Sequence, residues 1–301
     1  MRFEHLDLNL LVALDVLLEE RSITRSAERL HMTQSATSGV LKRLRAYFDD
    51  ELLVQVGRKM QPTPYALELQ EPVRDVMLKI RSSIVTRRTF EPSSSKRHFR
   101  IVCADFTITI LLSNVIQNIE KEAPGITFEM NTPYHEPEAV LSRGDVDFLL
   151  VPERYTVDGH PQKLLFSEQH VCVVWQENAL IKDTISFDQY IDMGHVSVGF
   201  GSSRQLSIED WFMKQYDVQR RIEVISSDFN TLPQLVVGTN RIATMHQRLA
   251  EYYARYLPIR VLPTPVDLPT MHEHLQWHRA LENDPLHRWV RNKIEDAAVQ
   301  L

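Results

Sequence analysis

Residues 24–48, TRSAERLHMTQSATSGVLKRLRAYF, constrain the fold of this chain more than any other stretch. Apolar residues recur at three- and four-residue spacing in both halves, which is typical of two amphipathic helices with one buried side each. His31 and Met32 interrupt that spacing, and Thr33 follows as a residue that can cap the N-terminus of a new helix. The stretch therefore predicts a helix-turn-helix.

The polar side chains outside the apolar stripe of the second helix are typical of a helix that recognises DNA. They are Gln34, Ser35, Thr37, Ser38, Lys42, Arg43 and Arg45. Short hydroxyls and an amide near a helix N-terminus hydrogen-bond base edges in the major groove, and basic residues further along contact phosphates. A solvated amphipathic helix in an ordinary bundle is the alternative, since periodicity alone does not separate the two.

The net charge of −6 does not exclude a nucleic-acid ligand, because the charges are unevenly distributed. Residues 21–48 contain six Lys or Arg and a single acid, Glu28. A local basic face of this kind favours contact with a phosphate backbone. No apolar run reaches the roughly 20 residues that span a bilayer, and the N-terminal stretch does not resemble an export signal. We predict no membrane association and a cytoplasmic protein, with Cys103 and Cys172 as buried free thiols unless the fold brings them together.

The segments on both sides of residues 24–48 complete a winged helix-turn-helix. Asp7 is expected to cap a first helix over residues 7–20, whose leucines recur at helical spacing. After Phe48, two short β-like runs surround Gly57, Arg58 and Lys59, which predicts a hairpin wing with a basic tip. A solvated turn with two incidental charges is the alternative. The DNA-binding domain is predicted to span residues 1–62.

Residues 64–89 carry apolar side chains at four- and three-residue steps, which predicts a long helix. Pro72 is expected to kink or split it. A helix of this length is too long for one small domain to cover, so its apolar face is predicted to bury against a second chain. Packing against the chain's own C-terminal domain is the alternative. The linker and dimerisation helix is placed at residues 63–90.

Residues 91–301 alternate between strand and helix patterns, which predicts parallel sheets with right-handed crossovers. One long strand is expected at residues 164–175. The alternation divides into two lobes: lobe I at 97–164 and 266–301, and lobe II at 165–265. The predicted fold class is therefore α/β with an all-α N-terminal part. It combines a winged helix-turn-helix, a long linker helix and a two-lobed α/β effector domain like that of periplasmic binding proteins.

In such domains ligands bind beyond the carboxyl ends of the parallel strands. The polar and aromatic residues predicted at those ends are Asp105, Phe106, Thr107, Phe200, Ser202, Phe229 and His246. Their mixture of aromatic and polar groups suggests a small aromatic ligand, although loop or core packing is the alternative for each residue singly. A helix beginning near Ser202 would favour an anionic group.

The chain contains little that indicates an enzyme. His272, His274 and His278 are close in sequence, but Glu273 is expected to face the other side of their strand, so we predict no metal site. No catalytic nucleophile motif, phosphate loop or paired CxxC motif occurs. The second hypothesis that we keep is a solute-binding or small-molecule enzyme fold with an added helical interaction module.

Two stretches resemble the LysR-type transcriptional regulators, and the resemblance covers the whole chain. LDLNLLVALDVLLEERSITRSAERLHMTQSATSGVLKRLRAYFDDELL resembles the N-terminal signature of that family. RKMQPTPYALELQEPV and the later QWHRALENDPLHRWVR resemble its branch of nodulation regulators that respond to flavonoids and of salicylate and nitrotoluene regulators.

The resemblance implies a cytoplasmic activator that binds double-stranded promoter DNA, responds to a small aromatic or phenolic inducer and controls genes of aromatic-compound degradation. It also implies a homo-oligomer, a dimer or a tetramer built as a dimer of dimers, contact with RNA polymerase, and no cofactor beyond the inducer. The family's DNA contacts correspond to Thr33, Gln34, Ser35, Ser38, Lys42, Arg43 and Arg58. Its polar pocket positions correspond to Thr107, Glu168, His170, Ser202 and His246, and Glu168 is expected to hydrogen-bond a phenol and to disfavour a carboxylate.

Two positions depart from the family pattern. Many members have proline where this chain has Ser35, which leaves the first turn of the recognition helix less fixed. The wing often carries Phe and Arg where Leu53 and Gln55 stand here, so one phosphate contact of the family is expected to be missing.

Overall fold

The computed structural model describes residues 7–57, 59–80, 91–132, 137–199 and 215–301. It divides into two compact units. The first unit consists of residues 1–89 with the short segments 142–145 and 278–284, and the second contains the remainder of the chain. Within the described ranges, none of the helices combines the length and the apolar character that a bilayer span requires.

The first unit contains the predicted winged helix-turn-helix, which is confirmed. Its elements are α1 (Leu8–Glu20), α2 (Ile23–Arg29), α3 (Gln34–Phe48), β1 (Leu53–Val56), β2 (Lys59–Pro62) and α4 (Pro64–Ile80). Asp7 caps α1 by accepting a hydrogen bond from the backbone N–H of Asn9. Thr33 caps α3 in the same way, accepting from the N–H of Ala36 at 3.2 Å. Both caps satisfy N–H groups that the first turn of a helix leaves without a partner.

Leucines from several elements form the core of the first unit. Leu14, Leu17, Leu44 and Leu53 are fully buried and belong to one cluster with Ala66, which lies in the first turn of α4. Burying one leucine side chain contributes about 1.5–3 kcal/mol. The apolar stripe predicted from the sequence therefore holds α1, α3, the wing and α4 together.

The helix α4 runs from Pro64 to Ile80 and continues through Pro72. The predicted split at this proline is therefore not observed. Val73 and Met77, one and five residues later, pack into the core of the unit and hold the turns beyond the proline in place. The remaining part of the predicted helix, residues 81–89, lies outside the described residues.

The first sheet of the second unit has the strand order β4-β3-β5-β12-β6. These strands are β3 (Arg97–Cys103), β4 (Ile126–Asn131), β5 (Phe148–Pro152), β6 (Gln162–Glu168) and β12 (Met271–Gln276). β3 is parallel to both β4 and β5, whereas β12 is antiparallel to β5 and β6. The helical elements of this lobe are α5 (Asp105–Thr107), a π-helical turn (Ile108–Leu112), α6 (Ser113–Glu122), α7 (Pro137–Ser142) and the C-terminal α11 (Pro285–Ala298). Val290 and Ile294 of α11 belong to the same buried cluster as Phe99 of β3, so the last helix returns to this lobe.

The second sheet has the strand order β11-β7-β10-β8-β9. Its strands are β7 (His170–Trp175), β8 (Gly194–Val198), β9 (Arg221–Ser226), β10 (Ile242–His246) and β11 (Ile259–Pro263), and its helices are α8 (Phe187–Asp192), α9 (Leu232–Val236) and α10 (Gln247–Ala254). β8 is parallel to β9 and β10, and β7 is antiparallel to β10 and β11. The two-lobed α/β prediction is confirmed.

The single strand predicted at residues 164–175 is wrong. The chain forms two strands there, β6 and β7, which belong to different sheets and are separated by Gln169. Glu168 pairs with Met271 of the first sheet, and His170 pairs with His246 of the second. The chain thus changes lobe at Gln169 and not at residue 164. An apolar pattern that runs through both strands carries no signal for such a change of partner.

Candidate DNA interface and effector cleft

The predicted DNA-contacting side chains of the first unit lie on one exposed face at the start and middle of α3. Thr33, Gln34, Ser35, Ser38, Lys42 and Arg43 are all exposed. The hydroxyls of Thr33 and Ser35 lie 3.1 Å apart. This face presents hydroxyls and an amide near the helix N-terminus with basic residues one to two turns further on, as the sequence predicts. Arg58 lies outside the described residues.

Two polar residues of α3 that the sequence places on the outer face bond other parts of the first unit. Thr37 is buried, and its hydroxyl donates to the backbone carbonyl of Thr33 at 3.1 Å. A helical threonine can satisfy its hydroxyl in this way and so occupy the buried stripe. Arg45 donates to the carbonyl of Glu51 at 2.8 Å and to that of Leu53 at 2.7 Å. Arg45 therefore holds the start of the wing through its guanidinium.

Arg43 pairs with Asp7 at the N-terminus of α1, with 3.2 Å between Nη2 and Oδ2. Both side chains are exposed to solvent, and an exposed pair of this kind contributes little to stability. The guanidinium can exchange the carboxylate for a DNA phosphate at small cost. The pair thus leaves Arg43 accessible while fixing its position against the start of α1.

Aromatic side chains from both lobes of the second unit meet at the carboxyl ends of the strands. The ring centroid of Phe106, which follows β3, lies 3.9 Å from that of His246 at the end of β10. The His246 ring is also 4.6 Å from Phe229 and 5.2 Å from His170. We call Phe106, His170, Phe229 and His246 the aromatic cluster. The structure thus brings together four of the residues that the sequence predicts at the effector site, while Phe200 and Ser202 lie outside the described residues.

Asp105 bridges the two lobes instead of facing a free space. Its carboxylate accepts from the backbone N–H of Phe229 at 3.0 Å, from that of Asn230 at 2.8 Å and from the Asn230 side-chain amide at 2.6 Å. The Asn230 amide oxygen in turn accepts from the hydroxyls of Thr109 and Tyr253, both at 3.0 Å. We call Asp105, Thr109, Asn230 and Tyr253 the interlobe clasp. The expectation that Asp105 is available to a ligand is therefore corrected.

Glu168 is also committed to a protein partner. Its side chain is 1% exposed, and it accepts from the backbone N–H of Arg248 at 3.1 Å and from Nη1 of Arg248 at 2.6 Å. This charge-assisted pair occupies both carboxylate oxygens. The expectation that Glu168 hydrogen-bonds a phenolic ligand is replaced by this pair with Arg248.

Glu273 is a candidate site residue that the sequence reasoning missed. It lies on β12, is 0% exposed, and its Oε1 accepts from the hydroxyl of Thr107 at 3.1 Å. Its Oε2 has no hydrogen-bond partner among the described residues. Burial raises the pKa of Glu273 to about 8, the charge of Glu168 adds to that rise, and the bond from Thr107 opposes it. The carboxyl group is therefore mostly protonated at neutral pH. The sequence does carry a signal for this position. Glu273 and the apolar Leu275 are two residues apart on one strand, so both side chains point to the same, inward face.

The two histidines of the aromatic cluster are uncharged. Burial lowers the pKa of His170 to about 4, and the charge of Arg154 contributes, whereas a hydrogen bond to the carbonyl of Pro269 opposes the shift. Burial likewise lowers the pKa of His246 well below its usual value. The Nδ1 atoms of both rings lack a hydrogen-bond partner among the described residues. An unpaired buried polar atom costs about 1–3 kcal/mol, so a molecule that pairs these atoms would gain binding free energy.

Two further groups of side chains bear on the chemistry of the described residues, the candidate metal ligands and the cysteines. No group of three or more His, Cys, Asp or Glu side chains is arranged to hold a metal ion in this part of the chain. Cys103 and Cys172 are buried free thiols, and burial raises the pKa of each to about 12. Such thiols are poor nucleophiles.

Comparison with known proteins defines the family. Residues 8–67 match the bacterial regulatory helix-turn-helix protein, lysR family, and residues 92–298 match the LysR substrate binding domain. This chain therefore belongs to the LysR family of bacterial transcriptional regulators. It is 40% identical over 298 residues to nodulation protein D 1 of Bradyrhizobium diazoefficiens, covering 99% of this chain and 95% of that protein.

Solved structures give the same fold. A full-length OxyR variant from Pseudomonas aeruginosa superposes with a TM-score of 0.74 at 16% identity, covering 98% of this chain and 95% of that one. Full-length CbnR in complex with its target DNA superposes with a TM-score of 0.51 at 13% identity, covering 97% of this chain and 100% of that one. The helix-turn-helix and the two-lobed domain therefore each have a fold found in these structures.

Proposed function

We propose that this LysR-type regulator binds duplex promoter DNA through the exposed face of α3 and the wing, and that Gln34, Ser35 and Ser38 contact base edges. The single observation that carries this proposal is the order of side chains on α3, with short polar groups near the N-terminus and Lys42 and Arg43 beyond them. A helix inserted in a major groove needs that order, because its N-terminal residues reach the bases and later residues reach the backbone. The structural neighbour solved with its target DNA supports the assignment.

The salt dependence of DNA binding tests this assignment. A randomised duplex library, enriched by successive rounds of binding to the full-length protein, supplies the probe. Each phosphate contact contributes about −0.9 to the slope of log affinity against log salt. Replacing Lys42 and Arg43 together by alanine should reduce the slope by about two. Lys121→Ala, which removes an exposed lysine of the second unit, is the control and should leave the slope unchanged. Equal slopes in wild type and the double variant would refute the assignment.

We further propose that the second unit binds a small aromatic effector at the aromatic cluster. Phe106 and Phe229 supply ring faces, and the buried Nδ1 atoms of His170 and His246 supply polar groups, which is the mixture that binding sites for small molecules use. An effector changes activity only if it binds one arrangement of the lobes better than the other. His246→Ala and Phe106→Ala should both weaken binding of a small phenol measured by calorimetry, whereas the exposed Glu177→Ala should not.

Oligomerisation through α4 is part of the same proposal. Leu67 and Val76 of α4 remain half exposed in the single chain. Exposed apolar side chains of this kind on a helix favour burial against a second copy, and two copies place two recognition helices in successive major grooves. We propose a dimer that assembles further into a tetramer and contacts RNA polymerase as an activator. Sedimentation velocity of wild type and of Leu67→Lys tests the first step, since the variant should shift toward monomer.

The target genes are a separate matter. We propose that they include genes of aromatic-compound degradation, a proposal that the sequence resemblance supports. The relatives that match along the full chain carry the name nodulation protein D, and that name does not bear on degradation genes. Sequencing of the DNA that the protein binds in its own cells shows whether genes of aromatic-compound degradation are among its targets.

A further inference from the structure

Three buried polar atoms without a partner among the described residues lie along one chain of contacts in the second unit. They are Oε2 of Glu273, Nδ1 of His246 and Nδ1 of His170. Thr107 donates to Glu273, the neighbouring Phe106 contacts His246, and His246 contacts His170. Glu273 is 0% exposed and His246 is 3% exposed. Buried polar atoms are nearly always paired, so three in one run indicate a ligand that pairs them.

The chemistry of these atoms defines what such a ligand must offer. Glu273 carries a proton at neutral pH, because burial raises its pKa to about 8. Oε1 already accepts from Thr107, so the free Oε2 can present the acid proton as a donor. His170 bonds the carbonyl of Pro269, which places its own proton on Nε2 and leaves Nδ1 as an acceptor. The ligand therefore meets a donor at Oε2 of Glu273 and an acceptor at Nδ1 of His170.

The charged groups around Glu273 are already paired or repel an anion. Glu168 on β6 adds negative charge next to Glu273, and the cation beside it, Arg248, is held by Glu168 itself. Asp105 beyond β3 is committed to the interlobe clasp. Cys103 on β3 also faces Glu273, and its thiol stays protonated. A ligand carboxylate in this place would be a buried charge without a cation, which is strongly unfavourable.

We propose that Glu273 is the specificity-determining residue of the cleft, donating its acid proton to an oxygen of the effector and so selecting uncharged aromatic ketones and phenols over aryl carboxylates. This inference rests on the proposed effector site at the aromatic cluster. It replaces Glu168, which the sequence suggested for this role, by a residue of the neighbouring strand β12 on the same face of the sheet. The acceptor Nδ1 of His170 adds a preference for a ligand that also carries a hydroxyl donor.

Calorimetric titration of the full-length protein with two matched compounds tests the proposal. The neutral probe is para-hydroxymethyl acetophenone, and the charged probe of nearly the same shape is para-hydroxymethyl benzoate. Neither hydroxyl titrates near neutral pH. We expect wild type to bind the ketone at least tenfold more tightly at pH 7. Glu273→Leu should lose that binding at least tenfold, whereas Glu273→Gln, which keeps a neutral donor, should stay within about threefold of wild type.

The pH dependence supplies a second readout that does not require the leucine variant to fold. Because Glu273 loses its proton near pH 8, wild-type affinity for the ketone should fall between pH 7 and pH 9. Glu273→Gln should bind it equally well across that range. A merely structural role of Glu273 would lower affinity in both variants without changing the pH profile. Glu177→Ala serves as the exposed control.

The outcomes separate this proposal from the proposed function. If Phe106→Ala and His246→Ala abolish ketone binding while Glu273→Leu binds as wild type does, the effector site stands and the role of Glu273 is wrong. Equal or tighter binding of the benzoate also overturns the role of Glu273. If neither probe binds wild type, both the aromatic effector and the selectivity are wrong, and the DNA-binding assignment is tested independently by its salt slope.

Discussion

The carboxylate of Asp105 accepts a hydrogen bond from the backbone N–H of Phe229 at 3.0 Å, which joins the end of β3 in one lobe to the loop after β9 in the other. Two more donors, the backbone N–H and the side-chain amide of Asn230, bond the same carboxylate. Hydrogen bonds to an ionised acceptor are roughly twice as strong as neutral ones. The clasp therefore holds the two lobes together next to the aromatic cluster.

Removing the clasp should destabilise the second unit. Asp105→Ala leaves two backbone N–H groups without their acceptor, and we expect it to lower the free energy of unfolding by about 2–3 kcal/mol. Urea unfolding followed by circular dichroism measures the change. The exposed Glu177→Ala should change stability by less than about 0.5 kcal/mol. A loss of that small size for Asp105→Ala would mean that the clasp contributes little.

Arg74 is the second residue whose removal should be costly. It lies in α4, and its guanidinium pairs with Asp15 at 2.8 Å, with Asp145 at 3.0 Å and with Glu19 at 3.3 Å. The Asp15 side chain is only 6% exposed. Arg74→Met would leave a buried charge without compensation, so we expect a loss of about 3–5 kcal/mol in urea unfolding.

A double variant separates the lost charge from lost packing. Replacing Asp15 by Asn in the Arg74→Met background removes the uncompensated charge, so part of the lost stability should return. The two changes should then be non-additive by at least about 1 kcal/mol. Additive losses would show that the pair contributes through packing alone.

Local patterns in the sequence predict the elements of this fold well, because helical and strand periodicities report which face of each element is buried. Thr33 and Asp7 cap the helices that the sequence predicts. The split of residues 164–175 into two strands was not predictable in this way. It depends on which sheet supplies the hydrogen bonds on each side of Gln169, and that is set by tertiary pairing.

The candidate site was predictable in position and less so in chemistry. Placing Phe106, Phe229 and His246 at strand ends brings them to one edge, because the ends of parallel strands meet there. The partners of the carboxylates were not predictable, since Asp105 and Glu168 bond groups more than 70 residues away in sequence. The sequence did not predict Glu273 as an effector-site residue, because it was considered only as a metal-ligand partner for His272 and His274, which lie on the opposite face of the strand.

Lys42 and Arg45 should behave differently although both are basic residues of α3. Arg45 bonds the carbonyls of Glu51 and Leu53, whereas Lys42 is exposed. We expect Arg45→Ala to lower the stability of the first unit by about 1–3 kcal/mol, because it removes two hydrogen bonds from a charged donor. Lys42→Ala should leave stability within about 0.5 kcal/mol and reduce the salt slope of DNA binding by about one. Urea unfolding and DNA titrations on both variants measure this contrast. A loss of stability in Lys42→Ala together with wild-type stability in Arg45→Ala would contradict it.

Acid should destabilise the second unit through its buried histidines, and His287 is the clearest case. It is fully buried, its ring lies 4.2 Å from that of Phe148, and its Nε2 bonds the carbonyl of Asp147 at 3.1 Å. Burial lowers the pKa of His287 to about 3, and the charges of Arg97 and Arg291 contribute, whereas the bond to Asp147 opposes the shift. The folded state therefore keeps this imidazole neutral at a pH where the unfolded chain protonates it.

The sign of the effect follows from proton linkage. The folded pKa lies below the unfolded value of about 6.5, so the unfolded state binds more protons between these two values and stability falls as pH drops. The slope for one histidine is up to about 1.4 kcal/mol per pH unit. In His287→Phe the free energy of unfolding should therefore fall less steeply between pH 6.5 and pH 4 than in wild type. The number of protons taken up on unfolding, which sets this slope, should be smaller by close to one. His31→Asn, which replaces an exposed histidine in the left-handed region, should keep the wild-type slope, and an unchanged slope in His287→Phe would mean that this side chain titrates normally in the folded protein.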